Sequence, residues 1–456
     1  MKKLATLLLA AGMVVASTAP ANAVDVKVSG EYRHSFSTGS DFTGANAEDF
    51  RHRMRLNLAL AASENLSAFV QFQLNHGNQY GSADKHGTGS NIQTRQLYLD
   101  WVVPTTAIKV RMGRHQLGLP EEAFGSNSIL GAGFGARDGI VVTAPVTDWL
   151  GLTGIWARLA TDGGTDLDTN NTDDMFALAA NLKFEGFSGA VYAAYATLDD
   201  NSKQTSYAID TFNNPVVNAD NEVTGGVPTY KAVKTARYAR NTWNDGRPGA
   251  EGDAYWLGFT STFTFFDPFT LKLSAAYGEF NAANKGDENA NGWNVQAKGS
   301  YALPFGTAVL GGWYFSGMDE DGKGYMPNAG YFAGTNHLYD GYVSLTNPSQ
   351  TNNFGTWAVQ AGIEGVSFLE NLTHDFHVTY MEGTNEEGDY TAGWTGKMGE
   401  DDAAVEFTLN NVYKIYKNLA AHLELAYVIN DYSDKAEDAG LTEDDWYASL
   451  TFQYKF

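Results

Sequence analysis

Apolar and polar residues alternate with a period of two along most of this chain, in stretches of about ten residues. "RHRMRLNLAL" sets Arg51, Arg53, Arg55 and Asn57 on one side of an extended strand, with Met54, Leu56, Leu58 and Leu60 on the other. "LSAFVQFQLN" divides Leu66, Val70, Phe72 and Leu74 from Ser67, Gln71, Gln73 and Asn75 in the same way. Leu271, Leu273 and Tyr277 stand against Lys272 and Ser274, and Val405, Phe407 and Leu409 against Glu406, Thr408 and Asn410. The chain also ends on such a strand, with Trp446, Ala448, Leu450, Phe452, Tyr454 and Phe456 on its apolar side. In water a strand of that kind needs a second apolar layer or becomes a sticky edge.

The connections are of two kinds. Eight are short, at 63–65, 104–106, 146–149, 185–187, 266–269, 303–305, 367–371 and 413–418. Nine are long, polar and Gly-rich, at 38–50, 76–92, 117–137, 160–174, 197–253, 281–291, 316–355, 383–402 and 431–445. Strict alternation of short and long is the meander of an up-and-down barrel, with both chain ends on the short-turn side. The pattern predicts an all-β transmembrane antiparallel barrel of eighteen strands. It falls to sixteen if the weakly patterned stretches 138–144 and 179–184 are not strands. A soluble sandwich is disfavoured by the number and length of the strands and by aromatic residues beside the short turns. Trp149, Phe184, Phe187, Phe265, Phe266, Phe269, Phe305, Tyr413, Tyr416 and Phe456 would form the girdle at one membrane interface. The last strand must then pair with the first, around residues 26–36, to remove the sheet edge.

The N-terminus fixes the compartment. Lys2 and Lys3 precede an apolar run over 4–16, and Ala21-Asn22-Ala23 closes it, so residues 1–23 read as a secretory signal peptide and 24–456 as the barrel domain. No later run of eighteen apolar residues occurs. Without cysteine there are no disulfides, thiolate metal sites or cysteine nucleophiles. Without Lys2 and Lys3 the formal charge moves from -23 to -25, which disfavours nucleic acid as a partner. Aromatics at 13% and 49 glycines fit many strands and turns.

Three stretches, "VDVKVSGEYRHSF", "IKVRMGRHQLGLPEEAFGSN" and "YASLTFQYKF", together with the signal peptide, resemble Gram-negative outer-membrane trimeric porins. The likeness is closest to the homotrimeric porins of sulfate-reducing bacteria and covers the whole mature chain. It implies an outer-membrane location, contact with lipid and lipopolysaccharide, a homotrimer, and passive diffusion of small hydrophilic solutes or inorganic anions. It also implies that Phe452, Tyr454 and Phe456 serve as the signal read by the barrel-assembly machinery. In such porins the third long loop folds inward and sets acidic residues opposite a basic wall. The third long connection here carries Glu121 and Glu122, and the wall candidates are Arg51, Arg53, Arg55, Lys109 and Arg111, with His115 near the strand end. That arrangement would create a transverse field at the narrowest point. The same arginines could instead bond loop carboxylates for stability alone. Eighteen strands exceed the sixteen usual for general porins and resemble the substrate-selective ones.

Other constellations carry less. In "YKAVKTARYARNTW", Lys231, Lys234, Arg237 and Arg240 recur every third residue and would line one edge of a left-handed extended helix, an anion ladder if it dips into the lumen. "DENANG" at 287–292 begins like a calcium loop but has Lys298 where a bidentate Glu is required. His374 and His377 are three apart on a strand and point to opposite faces. No catalytic constellation, metal site or cofactor motif stands out. The alternative function is a structural or adhesive barrel without significant conductance. Net charge argues for cation preference and the basic wall for mild anion preference; the wall prevails because it lies at the narrowest point.

Overall fold

In a computed structural model of the chain, the described residues are 24–40, 46–79, 92–125, 127–130, 136–161, 172–198, 203–217, 223–236, 252–283, 289–319, 324–327, 335, 355–386, 389–391, 394–441 and 444–456. The strands are β1 (Asp25–Ser40), β2 (Asn46–Ser63), β3 (Leu66–Gln79), β4 (Ile92–Val102), β5 (Lys109–Gln116), β6 (Ala136–Pro145), β7 (Leu150–Thr161), β8 (Thr172–Phe184), β9 (Phe187–Leu198), β10 (Lys203–Val217) and β11 (Val223–Ala236). They continue as β12 (Gly252–Phe266), β13 (Phe269–Ala282), β14 (Ala290–Leu303), β15 (Gly306–Phe315), β16 (Thr356–Leu369), β17 (Leu372–Gly383), β18 (Asp389–Thr391), β19 (Trp394–Lys397), β20 (Ala403–Tyr416), β21 (Leu419–Asp431) and β22 (Asp444–Lys455). Eighteen of them form one antiparallel sheet that closes on itself through β1 and β22. The hairpins β10–β11 and β18–β19 are separate two-stranded sheets inserted in long connections.

All eight short connections join neighbouring strands of the barrel. The weakly patterned stretches at 138–144 and 179–184 belong to β6 and β8, so the count is eighteen, not sixteen. Four long connections differ from the expectation of plain loops, one of them 383–402, which holds the β18–β19 hairpin. Most of 38–50 is strand, because β1 and β2 continue pairing from Phe36↔Phe50 up to Ser40↔Asn46. The 197–253 segment contains the β10–β11 hairpin, and 431–445 contains a short helix, Asp434–Asp438.

The closing seam answers the question of the apolar terminal strand. β22 pairs with β1 from Glu31↔Lys455 to Gly39↔Tyr447. Beyond it, Gly30 N–H donates to Phe456 O at 2.8 Å and Phe456 N–H to Gly30 O at 3.1 Å. The Phe456 ring lies over Gly30, where an added Cβ would overlap it, and stacks near Tyr454 with centroids 5.8 Å apart. Here glycine is required by close approach, and the aromatic ring covers the bare backbone. Two variants are expected to separate assembly from packing. Phe456→Ser should lower the amount of barrel in the outer membrane while costing the finished barrel only about 1–3 kcal/mol. Gly30→Val should loosen the seam by displacing that ring. Unchanged steady-state levels and heat-modifiable mobility in Phe456→Ser would leave packing as the ring's sole role.

The barrel is clothed on its outside in apolar side chains, including Leu310 at 62% and Leu257 at 58% exposure, an area that water would not tolerate. No helix among the described residues is long and apolar enough to cross a membrane. The lower girdle follows the predicted ring: Trp149 stacks on Phe184 at 5.6 Å, Phe184 lies 6.0 Å from Phe187, and Phe305 is exposed beside its own turn; Trp101, which the prediction did not include, is exposed beside the turn after β4. An upper belt includes Trp156, Tyr195, Tyr255, Tyr277, Trp293, Tyr380 and Trp446, with polar groups directly above. Tyr195 Oη donates to Asp253 at 2.7 Å, Tyr277 Oη to Glu279 at 3.3 Å and Tyr380 Oη to Glu382 at 2.8 Å.

Candidate pore constriction

The third long connection leaves β5 and turns into the barrel. Leu117, Leu119, Ile129 and Leu130 are buried against the inner faces of β7, β8 and β9, where Ala157, Ala177, Ala179, Ala194 and Ala196 present only methyl groups. Small residues there leave room for the loop. They also explain why the period-two signal is weak in β8 and β9, since both faces of those strands are apolar.

The loop reaches across the lumen to a distant part of the wall. Glu122 and Gly125 exchange backbone hydrogen bonds at 3.1 Å, making a tight tip of Ala123 and Phe124. Gly125 has φ +117, which favours glycine. Ala123 N–H donates to Ser274 Oγ on β13 at 3.0 Å, and Phe124 N–H donates to Gln296 Oε1 on β14 at 3.3 Å. The Phe124 ring meets Trp313 of β15 edge-on at 5.2 Å. Asn127 braces the base of the tip by accepting from Ile129 N at 2.9 Å and Leu130 N at 3.1 Å while donating to Pro120 O at 2.9 Å.

At the centre of this contact is Glu122, and its position corrects the expectation that it faces the basic wall. It is 2% exposed. Ser128 Oγ donates to its carboxyl group at 2.7 Å, Gln296 Nε2 at 2.5 Å and Tyr192 Oη at 3.4 Å. Desolvation pushes its pKa up to about 7, against hydrogen bonds from neutral partners that pull it down. Glu122 therefore anchors the loop, sealed against β9 and β14 and turned away from the basic wall. Glu121, one residue earlier, is exposed.

The basic residues lie on the other side of the barrel, on β1 to β5. Arg51 is paired with Asp49. Arg53 reaches Glu31 at 3.4 Å, a carboxylate that Arg33 holds more closely at 2.7 Å. Arg55 Nε donates to the Gln73 carboxamide at 2.7 Å. Arg111 forms a two-pronged pair with Asp100 at 2.7 and 2.8 Å and lies 4.1 Å over the Tyr98 ring, while Lys109 shares Asp100 at 3.3 Å. His115 is 1% exposed, bonded through Nδ1 to Gly113 O at 2.9 Å, so it supports the strand end and does not line the passage.

One basic residue escaped the parity argument. Opposite β3, Gln71 pairs with Gln96 and Phe72 with Thr94, which leaves Arg95 as the surplus residue of a bulge. The bulge turns Arg95 inward, where it donates to Gln71 at 2.9 Å and Gln116 at 3.3 Å. A bulge shifts alternation by one residue, and the sequence "IQTRQLYLD" does carry that slip: Gln93 and Gln96 both face inward although three residues apart.

The predicted ladder fares differently. Arg237 and Arg240 lie outside the described residues, and the backbone through Lys231 and Lys234 is strand β11 paired with β10, not a threefold helix. A period of three does not keep to one side of a strand.

A closed eighteen-stranded barrel with an inward third loop is the architecture of an outer-membrane channel, and sequence comparison agrees: the model of the Gram-negative porin family matches residues 5–323. The chain belongs to that family. This porin lies in the outer membrane and is a passive diffusion channel. No curated protein sequence matches it. Among solved structures it is similar to Pseudomonas aeruginosa OccK2 (OpdF), at 14% identity and TM-score 0.56 over 95% of this chain and 98% of that one. It is also similar to P. aeruginosa OpdQ, at 13% identity and TM-score 0.54 with the same two coverages, and to P. aeruginosa OpdK with vanillate, at 11% identity and TM-score 0.53, again with those coverages. At these identities the likeness is one of fold.

Proposed function

We propose that this porin favours small anions. The observation that carries the reading is the division of the lumen. The loop packs on β7 to β9 and reaches β13 to β15 with apolar groups and the buried Glu122, and it leaves open the wall of β1 to β5, where Arg53, Arg55 and Arg95 share one carboxylate or hold only carboxamides. Guanidinium groups held by amides keep donors and charge for a passing solute. Oxyanions and carboxylates are the solutes that such a wall attracts. OpdK and OccK2 have been crystallised with vanillate and with glucuronate, which are of that class.

The proposal extends to the assembly. Residues 1–23 are removed on export, the terminal Phe452, Tyr454 and Phe456 are read by the barrel-assembly machinery, and the barrel sits as a homotrimer among lipid and lipopolysaccharide. The nearer kinship with the trimeric porins of sulfate-reducing bacteria rests on the resemblance of the quoted stretches. Liposomes carrying the purified protein should swell in sugar solutions at rates that fall with sugar size. Absence of size-dependent swelling would favour a non-conducting structural barrel.

A further inference from the structure

The inner wall of β1 to β5 departs from its own polarity at one place. Its described inward positions are mostly polar or small, and Phe69 on β3 and Tyr98 on β4 are the only phenyl or phenol rings among them. The two are register partners, stacked with centroids 5.1 Å and planes 26° apart. Inward rings elsewhere in the barrel, Tyr192, Trp256, Trp313, Phe315 and Tyr447, are 1–3% exposed. Phe69 and Tyr98 are only half-buried. Apolar rings left open on the wet face of a wall forgo the gain of burial unless something else comes to cover them.

Their surroundings keep the rings open and bracket them with cations. In the same cross-strand row the flanking inward positions are Ala59 on β2, Gly113 on β5 and Gly139 on β6, whose side chains are too short to fold over the pair. Gly113 has φ +119, and an added Cβ would meet Leu97 O, so the backbone itself keeps that position bare. One row above, roughly 7 Å along the strand, Gln71 accepts from Arg95 at 2.9 Å and from Gln96 at 3.2 Å. One row below, Asp100 holds Arg111, whose guanidinium lies 4.1 Å from the centre of the Tyr98 ring, with Lys109 beyond it. A flat apolar patch thus lies between two sets of cations.

We propose that Phe69 and Tyr98 form a stacking subsite for flat anionic solutes, aromatic carboxylates above all, which lie against the rings with the carboxylate turned toward Arg95. The proposal rests on the anion preference argued above and names a solute class within it. Aromatic rings reward a planar π-system in offset stacking more than a puckered ring of the same size. Arg95 is bonded only to carboxamides among the contacts described, so its fork remains suited to a carboxylate, whereas Arg111 already serves Asp100. A small aliphatic anion meets the same arginines and passes without resting on the rings.

Benzoate and cyclohexanecarboxylate carry the same charge on rings of the same carbon count and differ in flatness and π character. In planar bilayers, benzoate should interrupt the ionic current of the wild type for about 2- to 10-fold longer than cyclohexanecarboxylate does. Benzyl alcohol, a ring without charge, should interrupt it more briefly than benzoate. Phe69→Leu with Tyr98→Leu keeps apolar bulk and removes both rings. It is expected to bring the benzoate dwell down to that of cyclohexanecarboxylate while the reversal potential in potassium chloride and heat-modifiable mobility stay as in wild type. Phe69→Leu alone should give an intermediate dwell. Equal dwells of the two acids in wild type, or a benzoate dwell unchanged in both variants, would overturn the subsite and leave the anion preference standing, the rings then serving only the pairing of β3 with β4. A wild type that prefers cations in potassium chloride alone would overturn the anion preference, and the solute class with it.

Discussion

Replacing Glu122 with alanine is expected to raise single-channel conductance severalfold, because it releases the loop that narrows the passage. The carboxyl group accepts from Ser128, Gln296 and Tyr192, which belong to the loop itself, to β14 and to β9. Removing it strands three buried donors, each costing roughly 1–3 kcal/mol unless water enters. Ser274 and Trp313 would still touch the tip, but the contact loses its central acceptor. Glu122→Gln keeps one carbonyl acceptor and the volume, and should stay close to wild type. If Glu122→Ala conducts like wild type, the apolar underside of Leu117, Leu119, Ile129 and Leu130 holds the loop without its help.

The same group sets a pH dependence. Its folded pKa of about 7 lies above the ordinary carboxylate value of 4.5, so the docked loop binds the proton more tightly than the released loop. Docking is therefore firmest below about 4.5, weakens as pH rises through about 7, and is constant above that. The full swing is on the order of 3 kcal/mol. Wide-open events in planar bilayers should become more frequent as pH rises from about 4.5 to about 7 and level off above that. Glu122→Gln should abolish that dependence, and a wild type with no pH dependence would mean that the carboxyl finds a countercharge when it ionises.

The architecture was legible because a barrel imposes one rule on every strand. Each of the eight short turns and the closure of β22 on β1 follow from period-two alternation and the need to remove sheet edges. Alternation faded where the rule has an exception. The alanines of β8 and β9 face inward yet are apolar, since the third loop covers them. The site was legible by residue type and only partly by position. Arg53 and Arg55 have lumenal parity on a regular strand, whereas Arg95 is placed by a bulge that inverts parity. Glu122 and Glu121 are neighbours with the same chemistry, and only tertiary packing separates the buried anchor from the exposed charge. Acidity in a loop does not reveal whether the loop will seal that acid against a wall.

Selectivity is where that distinction has its largest consequence. With Glu122 withdrawn, the β1 to β5 part of the lumenal wall sets Arg33, Arg51, Arg53, Arg55, Arg95, Lys109 and Arg111 against Glu31, Asp49 and Asp100. The chain's negative charge elsewhere counts for little here, since charges farther off than a Debye length of about 8 Å are screened at physiological salt. Among the seven cations, Arg51, Lys109 and Arg111 are tied to Asp49 or Asp100, and Arg33 to Glu31. That leaves Arg53, Arg55 and Arg95 as the groups whose charge is least cancelled. Reversal potentials in a salt gradient should therefore show mild anion preference in wild type. Replacing those three arginines together with glutamine should carry the potential across zero to the cation side. Arg111→Gln alone should do less, because Asp100 would then pair with Lys109. A wild type that already prefers cations, or a triple variant whose potential does not move, would place the narrowest point away from β2 to β4, and the arginines there would serve only the carboxamide network of Gln71 and Gln73.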